Sequence, residues 1–107
     1  MANETPSTIL TVFRSRLHPD ADVLGYQRVA AEMEHRARTM PGFVDFKTFT
    51  ADDGERVSIV EFDGIENHNR WRDDPDHRVA QRRGRDDFYA EYRISVGEVF
   101  REHGFRR

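Results

Sequence analysis

The sequence contains no cysteine, a single lysine and a single tryptophan. Without thiols there is no disulfide framework, no thiolate nucleophile and no cysteine-held zinc or iron–sulfur site. No apolar run approaches the length of about 20 residues that a helix needs to cross a bilayer. Met1 to Ser7 lacks the basic and apolar regions of a secretion signal, so a cytoplasmic location is expected, with residues 1–7 as a short flexible N terminus. Three familiar signatures are also missing: a glycine-rich phosphate loop, a His-Glu-x-x-His zinc pair and a serine nucleophile elbow. An excess of cations is lacking too. Lys and Arg number 17 against 20 Asp and Glu, for a formal net charge of -3. Nucleic acid is therefore not an expected partner, because phosphate contact needs surplus Lys and Arg on one face.

What is present is a chain of 107 residues, 36% hydrophobic and 35% charged. A domain of this size hides only about two-thirds of its unfolded surface, so its core is thin and joining a second copy is an economical source of further burial. Thr8 to Leu17 alternates apolar and polar positions as a strand does. Pro19 and Asp20 then suggest a helix start, and Val23, Tyr26, Ala30, Met33, Ala37 and Met40 recur at steps of three and four. Pro41 and Gly42 stop that helix. Phe43 to Thr50 and Arg56 to Phe62 read as a hairpin closed by the turn Ala51 to Glu55.

A short helical piece carries Asn67 and Trp71, and Asp74 with Pro75 supplies a cap and first-turn proline for a second helix to about Ala90. The last strand is expected from Tyr92 to Phe100, with Tyr92, Ile94, Val96 and Phe100 on one face. The order is β, α, β, β, α, β. Right-handed crossovers place both helices on one side of a four-stranded antiparallel sheet, an α+β ferredoxin-like arrangement. The opposite sheet face also carries apolar residues, and a second subunit is its natural cover, giving a dimeric α+β barrel.

Candidate chemistry concentrates between Asn67 and Tyr92. His77, Gln81, Gly84 and Phe88 form one helical stripe, either a cavity wall or a solvated face anchored by Phe88. His77 is the candidate base, since an imidazole with ordinary pKa near 6.5 accepts a proton at neutral pH; the alternative is an exposed first-turn residue. Trp71 is either a surface for stacking an aromatic ligand or the largest filler of the core. Asn67, one turn earlier, is placed to hydrogen-bond a ligand oxygen, and Arg85 borders the stripe, either in a solvated charge group or against an anionic substrate.

From Thr8 to Phe105 the chain resembles the antibiotic biosynthesis monooxygenase family of dimeric α+β barrels. The carrying segments are Met40 to Phe43, Trp71 with Asp74 to His77, Ala80 with Gln81, Gly84 with Arg85, Phe88 with Tyr89, and Tyr92 to Val96. The resemblance implies a cofactor-independent monooxygenase that uses O2 to oxidise a flat, anthrone-like polyketide without metal or flavin. Asn67 and Trp71 look like the Asn–Trp pair that lines such pockets, and Gln81, Arg85, Phe88, Tyr89 and Tyr92 would line the substrate. A related branch binds and degrades haem through a histidine ten residues after its Trp, where this chain has Gln81; haem, with His77 as substitute ligand, is the alternative cofactor. A third reading is a non-catalytic dimer that binds a small molecule.

Overall fold

A computed structural model describes residues 7–107, so the expectation for the N terminus falls, Ser7 apart, outside the described residues. Strand β1 (Thr8–Leu17) is followed by helix α1 (Val23–Thr39), the hairpin of β2 (Phe43–Thr50) and β3 (Arg56–Asp63), helices α2 (Ile65–Arg72) and α3 (Pro75–Arg83), a π-helical turn (Gly84–Phe88) and β4 (Tyr89–Glu98). The strands lie in the order β2-β3-β1-β4, and every pairing is antiparallel. This is the ferredoxin-like α+β fold expected from the chain order.

Register decides which residues share a face. Ile9 lies opposite Phe62 and Thr11 opposite Val60, and all four are buried. Ala37 of α1 and Trp71 of α2 join Val60 and Phe62 in one core cluster, so both helices cover the same side of the sheet. Met40, Phe43 and Phe46 pack around its margin. On the other side Leu10, Val12, Val57 and Ile59 are only half-buried and Phe49 is exposed. Charged pairs rim that face: Arg14 grips Glu55 through two hydrogen bonds of 3.0 and 2.8 Å, and Arg16 meets Asp53 at 2.7 Å.

Strand β3 runs one residue past the expected Phe62, and four other boundaries differ from the sequence reading. Helix α1 begins at Val23, because His18 to Ala21 closes a turn of its own (Ala21 N–H to the His18 carbonyl, 2.9 Å) and Asp22 is the residue that caps, accepting from the Gly25 N–H at 3.0 Å. The second helix stops at Arg83 and widens into the π-helical turn rather than running to Ala90. Gly84 explains the change: the Tyr89 ring lies where a Cβ at that position would stand, so the chain folds back on itself there. The His18 N–H donates to the Phe88 carbonyl at 2.8 Å and fixes the exit, and β4 then starts at Tyr89, opposite Leu17 across a bulge. At its far end β4 closes at Glu98, leaving Phe100 off the sheet and 91% exposed.

One polar contact joins the helical layer. Asp74 caps α3 by accepting the His77 N–H at 3.1 Å, while the Arg36 guanidinium near the end of α1 donates to both its oxygens at 2.8 and 2.6 Å. Those guanidinium bonds, opposed by burial and aided by the His77 N–H, lower the Asp74 pKa from its ordinary 3.8. A lowered carboxylate pKa adds stability above the unfolded value and loses it as pH falls through the folded one. Asp74→Ala should therefore cost about 0.5–2 kcal/mol of cap at neutral pH. In chemical denaturation measured down the pH scale, the gap between wild type and variant should close below pH 3.8.

Candidate active site

The corner between α2 and α3 brings two of the sequence candidates into contact. Asp73 ends α2 and Asp74 caps α3, so the next helix starts within one turn of Trp71 and folds His77 back onto the indole. The two ring centroids lie 4.5 Å apart at an interplanar angle of 32°. On its other face the indole stacks on Phe62 at 5.1 Å and 24°, and His68 meets its edge at 5.9 Å. Trp71 is 7% exposed and belongs to the core. Of its two sequence readings, the filler is thus what the packing displays, and two rings of that packing are imidazoles, with His77 the one stacked on the indole.

The stack sets the charge of that imidazole. Burial lowers the His77 pKa from its ordinary 6.5; the Arg72 carbonyl and Asp74 push it back up, and neighbouring His68 adds to the lowering. A ring with lowered pKa is neutral at pH 7 and keeps one nitrogen free to accept a proton. The Arg72 carbonyl lies 3.5 Å from Nδ1, at the long limit of a hydrogen bond.

Phe88, Tyr89 and Tyr92 gather in a second cluster. Phe13 stacks on Tyr92 at 5.6 Å and meets Tyr89 at 5.5 Å, and Tyr26 packs edge-on against Phe88 at 5.7 Å and Tyr89 at 5.8 Å. Burial, with Tyr26 beside it, pushes the Tyr89 hydroxyl pKa far up, so this phenol stays protonated. Beyond the cluster, β4 turns Tyr92, Ile94 and Val96 to the helical side, opposite Ser15, Phe13 and Thr11. The helices pack over β1, β2 and β3. Ile94 and Val96 are 40% and 51% exposed, an apolar shelf beside the helical layer. Next to Val96, buried Thr11 holds an Oγ1 with no hydrogen-bond partner.

The remaining candidates lie elsewhere. Asn67 donates from Nδ2 to the Asp63 carbonyl at 2.9 Å, accepts from Arg70 at 3.2 Å, and rests against Gly42, filling the space a Cβ there would need, at a backbone position whose φ of 77° itself favours glycine. Its amide serves the start of α2. Gln81 is half-buried and Arg85 exposed, and Gly84 and Phe88 are packed beneath Tyr89 and Tyr26, so this end of the stripe is filled rather than hollow. A groove of about 650 Å³ lies between α1 and α3, lined in part by Met33, Arg36, Val79 and Arg83 and by none of the candidates. Among the described residues no group of three His, Asp or Glu is placed to hold a metal ion, and no helix is long and apolar enough to cross a membrane. Sequence reasoning missed Phe13, Tyr26 and His68. His68 had a usable signal, lying three residues before Trp71 on the same helical face; the other two meet the cluster only through tertiary packing.

No family model matches the chain. An uncharacterised protein of Bacillus subtilis, YqjZ, is 29% identical over 82 residues, covering 77% of this chain and 72% of that one. Among solved structures, Rv0793 from Mycobacterium tuberculosis superposes with a TM-score of 0.80 at 16% identity, over 92% of this chain and 100% of the other. SnoaB, a cofactor-independent oxygenase from Streptomyces nogalater, gives 0.75 at 15% identity, over 90% and 96%. The chain thus has the ferredoxin-like fold that the resemblance to the antibiotic biosynthesis monooxygenases implied.

Proposed function

We propose that the protein is a cofactor-independent monooxygenase acting on a flat, electron-rich aromatic of the anthrone type, with His77 as the base. The observation that carries this reading is the half-buried imidazole held against Trp71, whose pKa burial lowers. A fold likeness to an oxygenase that needs no cofactor supports it. Tyr92, Ile94 and Val96 offer the substrate an apolar surface on the helical side of β4, and His77 is its proton acceptor. Asn67 acts at one remove, seating α2, while Arg85 lies at the rim.

The substrate can supply the electrons. His77 removes a proton from the CH2 carbon, and the resulting anion passes one electron to O2. The substrate radical and superoxide combine to form a C–O bond, and the peroxide takes its proton from the imidazolium. His77 then removes the second C–H proton as the O–O bond breaks, and the hydroxide released collects that proton and leaves as water. In sum CH2 and O2 become C=O and H2O. The protein contributes position, an apolar surface and a proton acceptor.

Purified protein treated with chelator should consume O2 with a dihydroxyanthrone. His77→Ala should lower the rate by about 10²–10⁴-fold at neutral pH, a loss that shrinks as pH approaches the substrate's own pKa. A loss equal at every pH makes His77 a positioning residue instead. Absence of O2 uptake with any electron-rich phenol or anthrone removes the reading.

The same reading includes a homodimer. The half-buried strip of Leu10, Val12, Val57 and Ile59 with exposed Phe49 has no cover in the monomer, and the charged rim gives a second copy its register. Light scattering at micromolar concentration should give twice the mass of 12.6 kDa, and a Phe49→Glu variant should shift toward monomer. A stable folded wild-type monomer contradicts this assembly.

A further inference from the structure

The two arginines of β1 come with carboxylates: Arg14 with Glu55, and Arg16 with Asp53 and Glu91. Arg56, the first residue of β3, is different. Among the described residues it makes no ion pair, and its Nε is buried without a hydrogen-bond partner. Its guanidinium lies flat enough on Tyr26 to bring the central carbon within 5.0 Å of the ring centroid. The head group is therefore held in place but left electrostatically incomplete.

A cavity of about 320 Å³ adjoins it, lined by Arg16, Leu17, Thr50, Asp53, Gly54 and Arg56, where the end of β1 meets the hairpin turn. Arg16 is already held by Asp53 at 2.7 Å and Glu91 at 3.2 Å, so of the two cations that line the cavity Arg56 is the one without an ion pair. We propose that this cavity is a binding site for a small monocarboxylate, with Arg56 as its anion-recognising residue.

The chemistry follows from the wall. A guanidinium fork matches the two oxygens of a planar carboxylate, Thr50 offers a hydroxyl donor, and Leu17 gives an apolar margin for a small hydrocarbon or aromatic body. The volume stands at the lower end of ligand pockets, which begin near roughly 300 Å³. Asp53 in the same wall disfavours a dianion such as phosphate, because its own charge repels the second negative charge. The site does not depend on the oxygenase reading, for it uses neither His77 nor Trp71.

Benzoate is a suitable probe, and benzamide is its neutral counterpart of nearly equal shape. In amide NMR titrations of the full chain, benzoate should give saturable shifts at Leu17, Thr50 and Gly54, with benzamide and inorganic phosphate each at least about tenfold weaker. Arg56→Gln should weaken benzoate by about tenfold or more and leave benzamide unchanged, and Arg56→Lys, which keeps the charge and loses the fork, should fall between. Should Arg56→Gln not fold, the wild-type contrast of benzoate with benzamide decides alone. Benzoate shifts that do not saturate at those amides, equal affinity for benzamide, or an Arg56→Gln variant that binds benzoate as wild type does would each overturn the site.

Discussion

Trp71 is where the fold and the candidate chemistry meet. Its indole is clamped between Phe62, which is fully buried in the middle of the sheet, and His77, which arrives from the next helix. Removing water from the indole is what seats α2 on the sheet, and burying so large an aromatic is a leading favourable contribution in a domain with so thin a core. The same packing desolvates the imidazole above it. An interaction formed for stability thereby sets the protonation state of the group best suited to proton transfer, so core and site are one piece of structure here.

A second constraint orients that piece. The angle between α2 and α3 is fixed at Asp73 and Asp74, and Asp74 is tied to α1 through Arg36 while it caps the turn that carries His77. Sheet, first helix and last helix therefore agree on one position for the imidazole. Asn67 contributes at the other end of α2, where its amide closes the turn after β3 against Gly42.

Strand and helix order were legible in the sequence because each element carries its own period. The alternation of Thr8 to Leu17 and the hairpin around Gly54 need only local chemistry, and both lie where expected. The end of the second helix was not legible. Nothing local in Gly84 to Phe88 announces a π-helical turn; its cause is the Tyr89 ring, which reaches back over Gly84 only once β4 has paired with β1. For the same reason helical spacing grouped His77 with Phe88, although the structure sends the first to Trp71 and the second to Tyr26. The contact of Trp71 with His77 crosses a helix boundary, and the importance of Arg56 lies in a missing partner, which no spacing reveals.

The central claim is that stacking on Trp71 buries enough of His77 to keep it neutral, and it is tested most directly by following the His77 ring resonances through a pH titration. The account predicts a midpoint below 6.5 in the wild type and a return toward 6.5 in Trp71→Leu, provided that variant still shows the dispersed amide spectrum of a folded chain. A wild-type midpoint at or above 6.5, or a lowered midpoint that the substitution leaves in place, would contradict it.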